Sequence, residues 1–127
     1  MEPNRIGVLV VDRNPLLREG LSVLIRFEPD MDLLAATASA EDAARLFELH
    51  TPDVTLVDSD IPFCAGIKAI RAIRRINPRA RILGMVAYEW DESWPAALHA
   101  GAWRCVAKDR LNRELAGLIR ECARTGA

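Results

Sequence analysis

The stretch Ile6-Gly7-Val8-Leu9-Val10-Val11-Asp12-Arg13-Asn14-Pro15-Leu16-Leu17 decides the fold. Its first six residues carry no polar side chain and do not alternate, the pattern of a strand buried on both faces of a parallel sheet. Asn14-Pro15 is a helix N-cap followed by proline at the first helical position. Leu17, Leu21, Leu24 and Ile25 then recur at helical spacing until Glu28-Pro29-Asp30 stops the run. Between strand and helix stands Asp12, an ionisable group at the end of an apolar run.

Working outward, the same alternation continues. Leu33–Ala38 reads as a second strand, and Ser39 with Asp42 resembles a capping box for a helix bearing Ala43, Leu46 and Phe47. That helix closes at Thr51-Pro52. Val54–Asp58 is a third strand, and Ile67, Ile70 and Ile73 mark a helix that ends at Asn77-Pro78. Ile82–Val86 is a fourth strand, followed by a helix carrying Trp90, Trp94, Ala97 and Leu98 and ended by Gly101. Arg104–Ala107 is a short fifth strand, and Asp109 is placed to cap a last helix with Leu111, Leu115, Leu118, Ile119 and Cys122 on one face.

Five strand–helix units imply a parallel sheet covered on both faces by right-handed crossovers, too few units for a closed eightfold barrel. The fold class is α/β, an open doubly wound sheet. Ligand chemistry in such sheets lies beyond the carboxyl ends of the strands. That rule selects Asp12, Asp58 and Lys108.

Composition agrees. The 127 residues carry 17 basic and 18 acidic side chains, a formal net charge of −1, and half are apolar. This is one domain with a real core, neither a disordered chain nor a general nucleic-acid binder, which needs excess cations. Cys64, Cys105 and Cys122, with only His50 and His99, give no zinc spacing and no paired disulfide framework. No apolar run approaches the roughly 20 residues of a membrane span, so a cytoplasmic protein is expected. The acid-free series Lys68, Arg71, Arg74, Arg75, Arg79 and Arg81 reads as a solvated helix face, with nucleic-acid contact the weaker alternative.

Two carboxylates and a lysine at one sheet edge suit phosphoryl chemistry, with Asp58 as nucleophile and Lys108 neutralising phosphoryl oxygens. The bland reading of Asp12 is a helix cap. A small Mg-dependent phosphotransferase or phosphatase using Asp58 is the enzymatic alternative. A cofactor-binding flavodoxin-like protein is a third, but Asn14-Pro15 stands where a phosphate-cradling loop would be.

Val10 to Leu21 resembles the first strand and helix of the receiver domain of bacterial two-component response regulators, NarL/FixJ (LuxR-type) subfamily. Pro52 to Asp58 resembles the phosphoacceptor strand of that family, with Pro62 and Gly66 at its offsets, and Ala100-Gly101-Ala102 through Lys108-Asp109 its fifth-strand segment. The resemblance runs from Ile6 to Cys122. It implies a flavodoxin-like fold with strand order 2-1-3-4-5 and a single receiver domain, residues 1–127, that is not an enzyme. It implies Asp58 as phosphoacceptor, Lys108 as the family lysine, and Mg2+ held by Asp12, Asp58 and the backbone carbonyl of Asp60. The implied partners are a histidine kinase or other regulatory protein, a second copy in a homodimer, and DNA only through a C-terminal domain. By length the chain is expected to be a stand-alone regulator or the N-terminal part of a longer DNA-binding one.

Three pocket positions depart from the family. Arg13 replaces the second acid of the pair, Val86 the switch Ser/Thr, and Cys105 the switch aromatic. Asp12 and Asp58 against Arg13 and Lys108 sum to zero without a metal, so Mg2+ binding is expected to be weak or absent. A charge pair about 4 Å apart is worth about 4 kcal/mol at an effective dielectric of about 20, before desolvation. Arg13 therefore either pairs with Asp58 or turns to solvent. Cys105 reads as a small buried apolar residue, with a redox role as the alternative. Trp90, Trp94 and Trp103 read as core packing or as a partner patch. The expectation is a receiver whose state depends more on partner binding, dimerisation or chain context than on phosphorylation.

Overall fold

The computed structural model describes residues 5–60 and 64–125. Strands and helices alternate as β1 (Ile6–Val11), α1 (Pro15–Arg26), β2 (Met31–Thr37), α2 (Ala40–His50), β3 (Val54–Asp58), α3 (Ala65–Ile76), β4 (Ile82–Val86), α4 (Ser93–Ala100), β5 (Arg104–Ala107) and α5 (Leu111–Arg124). All strands are parallel, in the order β2-β1-β3-β4-β5. The expected fold class and strand order hold.

The apolar run of β1 serves two cores. Leu9 and Val11 pack with Phe47, Val57, Ile70 and Ile73 on the α2–α3–α4 side. Val8 and Val10 face Leu21, Ile25, Leu56, Leu115 and Ile119 on the α1–α5 side. A central strand covered by helices on both faces has no wet side, which is why its sequence shows no alternation. Edge strand β2 is mostly half-buried.

Local details depart from expectation at four places. β2 starts at Met31, because Ile6 at the head of β1 pairs with Met31. Ser39 accepts the Asp42 N–H at 3.2 Å, but its own N–H goes to the Thr37 hydroxyl at 3.1 Å, so only half of the capping box forms. Asp109 does not cap α5; it lies in a 3-10 turn, Lys108–Arg110, and Arg110 takes the cap position without a side-chain bond. Trp90 lies outside α4, which begins at Ser93 once the Asp91 carboxylate accepts the Ser93 N–H at 2.8 Å.

Gly66 is required by contact, since a Cβ there would lie 2.1 Å from the Asp58 carbonyl oxygen. Helix α3 can therefore lie close against the end of β3, although Pro62, the other quoted position of that loop, is outside the described residues. Among the described residues no helix is long and apolar enough to cross a membrane.

Candidate functional site

Register builds the site. Val11 pairs with Val57, so Asp12 and Asp58 leave the sheet side by side, while Asp58 pairs with Met85 and Met85 with Val106, so Lys108 follows two residues beyond that level. The Lys108 ammonium lies 3.0 Å from Asp58 Oδ1 and 3.6 Å from Asp12 Oδ2. Both carboxylates are buried, Asp12 completely. All three residues chosen from strand ends thus meet.

Each strand-end aspartate also fastens its own loop. Asp12 Oδ1 accepts the Asn14 N–H at 2.8 Å, and Asp58 Oδ1 accepts the Asp60 N–H at 2.9 Å. The cap of α1 is Asn14, whose Oδ1 accepts the N–H groups of Leu16 and Leu17. Asp12 is therefore not the helix cap. Arg18 secures the β1–α1 loop by donating to the carbonyls of Asp12 and Arg13 at 2.9 and 3.2 Å. Asp12 Oδ2 is left buried with no hydrogen bond, 3.6 Å from the ammonium. Burial raises the Asp12 pKa, opposed by the Asn14 N–H, reinforced by the Asp58 charge and opposed again by Lys108.

An open cleft of about 500 Å³ lies over these groups, lined by Arg13, Asn14, Pro15, Asp58, Asp60 and Lys108. Arg13 is exposed and forms no ion pair with Asp58; the pairing falls to Lys108. The reason is reach: the lysine side chain brings its ammonium to 3.0 Å from Asp58 Oδ1, whereas Arg13 is exposed on the loop after β1. Val86 and Cys105 are buried apolar positions. The Cys105 thiol points at the Trp94 carbonyl, 3.6 Å away, and burial pushes its pKa up to about 12. Buried in the core cluster, Cys105 serves there as a small packing group.

One functional group escaped the sequence reading. The Asp60 side chain turns toward β4, accepting the Ala87 N–H at 2.8 Å through Oδ2 and the Ser93 hydroxyl at 2.9 Å through Oδ1. The family resemblance assigns a role to its backbone carbonyl, and neither that nor its place near Asp58 in sequence points to these two donors. Counting this carboxylate, the cleft holds Asp12, Asp58 and Asp60 against Arg13 and Lys108, three acids against two bases, a formal −1 rather than zero. No local pattern announces a bond between residues 33 positions apart.

The tryptophans separate. Trp90 is exposed and its ring lies 5.2 Å from that of Tyr88, Trp94 packs against the core, and Trp103 lies under the Arg104 guanidinium at 4.5 Å. Of the basic series, Arg74 donates to the Ala80 carbonyl and Arg81 to that of Thr125. Those two arginines serve the fold.

Residues 8–120 match the family model described as the response regulator receiver domain. The chain belongs to that family. It is similar to the uncharacterized transcriptional regulatory protein YxjL of Bacillus subtilis, 32% identical over 124 residues, covering 98% of this chain and 57% of the relative. Among solved structures, the response regulator domain of Thermotoga maritima CheB superposes with a TM-score of 0.88 at 25% identity, covering 97% of this chain and 99% of that one. The signal receiver domain of the putative regulator NarL from Mycobacterium tuberculosis superposes at 0.86 with 27% identity, over 95% and 98% of the two chains. This receiver spans little more than half the length of the curated relatives YxjL, DegU and NarL that it matches.

Proposed function

We propose that this receiver acts in two-component signalling with a cleft arranged to hold its state without phosphorylation. The carrying observation is the Lys108 ammonium already bridging the two buried aspartates, Asp12 and Asp58. Asp58 occupies the phosphoacceptor position and Lys108 its charge partner, while Asp12, Arg13, Val86 and Cys105 line the pocket. Val86 offers no hydroxyl and Cys105 no ring to report a modified Asp58.

Receiver domains generally bind Mg2+ in this pocket. The donors here do not fit a tight site. Asp12 and Asp58 share the ammonium, the Asp60 carboxylate is spent on Ala87 and Ser93, and Arg13 adds a cation at the rim. Among the described residues no three His, Cys, Asp or Glu side chains converge as a metal site. A hard dication needs oxygens that are free of such competition. Arg13→Asp should therefore strengthen Mg2+ binding measurably by calorimetry, and identical titrations for both proteins would count against this account.

Relatives about twice as long are named transcriptional regulators. On that basis we propose that this receiver is the input part of a cytoplasmic transcription regulator. DNA contact would lie in a segment outside these residues, with a histidine kinase, another regulatory protein or a second copy as partner. The module itself is not an enzyme, and nothing in the comparisons favours a phosphotransferase or phosphatase. Incubation with acetyl phosphate and Mg2+, followed by intact mass measurement, tests the reading. The expected result is little or no added phosphoryl group. A stoichiometric gain that disappears in Asp58→Ala overturns it.

A further inference from the structure

Among the described residues, one side chain ties the β3–α3 loop to the β4–α4 loop, and it is Asp60. Its anchor is firm. The Asp60 N–H is held by Asp58 Oδ1 at 2.9 Å and the neighbouring Ser59 N–H by the Met85 carbonyl at 2.9 Å. From that anchor its two oxygens take two donors of different origin, the backbone N–H following β4 and the hydroxyl of the first residue of α4. An unbroken polar chain then runs from Lys108 through Asp58 and the Asp60 N–H to Ala87 and Ser93.

Helix α4 needs such a tie. It has eight residues, of which Ala97 is the one fully buried, and its N-terminus has no side-chain cap from Glu92, only the Asp91 carboxylate on the Ser93 N–H. The tie also has a chemical consequence. A carboxylate accepting both an amide and a hydroxyl makes charge-assisted bonds stronger than neutral ones. The donors on the β4 side of the cleft are thereby satisfied by an internal anion before any external one arrives. A phosphoryl group on Asp58 would have to displace a like charge to recruit them.

We infer that Asp60 is a resident anionic latch, positioning the Ala87 amide and the start of α4 against β3 in the unmodified protein. The inference deepens the phosphorylation-independent reading and rests on it only for what the position of α4 signals. Ser93 is the second half of the latch, and Asp60 acts through it rather than on any reacting atom.

Amide hydrogen exchange of the whole chain, without Mg2+ or phosphodonor, tests the latch. Asp60→Ala and Ser93→Ala should each speed exchange at Ala87 and at the amides of Ser93, Trp94 and Ala97 by roughly tenfold, the scale of one charge-assisted hydrogen bond. Strand β1 and helix α2 should be unchanged, which certifies the fold. Ser93→Thr keeps the hydroxyl and should restore protection, and Asp60→Asn, with one acceptor oxygen and no charge, should fall between Asp60→Ala and the parent. Unchanged exchange at Ala87 in Asp60→Ala, or equal acceleration in Ser93→Ala and Ser93→Thr, overturns the latch. Because no phosphodonor is present, that failure would leave the acetyl phosphate result on Asp58 standing by itself.

Discussion

Lys108 and Arg120 each sit between two carboxylates in this receiver, and they do opposite things. Lys108 lies in the cleft between Asp12 and Asp58, with side-chain exposures of 25%, 0% and 7%. Arg120 on α5 lies between Glu28 and Asp30 of the α1–β2 turn, with exposures of 37%, 31% and 42%. It donates to both Asp30 oxygens, at 2.8 and 3.0 Å, and to Glu28. The fork of a guanidinium can satisfy two carboxylates, and water serves what is left. A point-charge ammonium in a dry site leaves Asp12 Oδ2 without a hydrogen bond. Accordingly the Arg120 hydrogen bond holds Asp30 below the usual carboxylate range, whereas burial pushes Asp12 above it. Charge count is equal at the two places, so solvent access and donor geometry decide.

The comparison breaks most sharply at the lysine. Lys108→Met should cost about 3 kcal/mol at pH 7 by urea unfolding, because it strands two buried carboxylates. Adding Asp12→Asn to that variant should recover part of the loss, since it removes one of the uncompensated charges. Equal stability of Lys108→Met and the parent would mean that Arg13 can take over the pairing.

Arg120→Met should cost about 1 kcal/mol, the upper range for an exposed ion-pair network. Its pH dependence has a definite sign. A depressed folded pKa for Asp30 gives stability that is present above the unfolded value of 3.8 and lost as pH falls through the folded one. The deficit of Arg120→Met should therefore shrink in acid. About 0.5 M salt should also shrink it while leaving the Lys108 deficit largely intact, because buried pairs are poorly screened. The smallest effect belongs to Trp90→Ser, within about 0.5 kcal/mol of the parent, as Trp90 is 83% exposed. A larger loss would show that its contact with Tyr88 carries folding energy.

Much of this was legible in the residues. The unalternating run Ile6–Val11 and the Asn14-Pro15 cap name a buried parallel strand and the start of α1, and both are present. The strand-end rule brought Asp12, Asp58 and Lys108 together correctly. Helical spacing and cap preference failed at Trp90 and Asp109, where they continue across a turn. The competing bonds there, Asp91 to the Ser93 N–H and the 3-10 turn after β5, do not show in periodicity. Arg13 could be flagged as an anomaly, but whether its charge enters the pocket depends on which cation reaches Asp58 first.

By itself, then, the sequence determined the alternation of strands and helices, the two-faced core and the three ionisable groups at the strand ends. These follow from local period and from burial, and both are written along the chain. Only the tertiary structure decided that Lys108 rather than Arg13 takes Asp58, that Asp12 keeps an unsatisfied oxygen, and that Asp60 reaches across to Ala87 and Ser93. Those outcomes depend on distances of a few ångströms between residues tens of positions apart. Competition among charges over such distances is settled by the packed sheet edge.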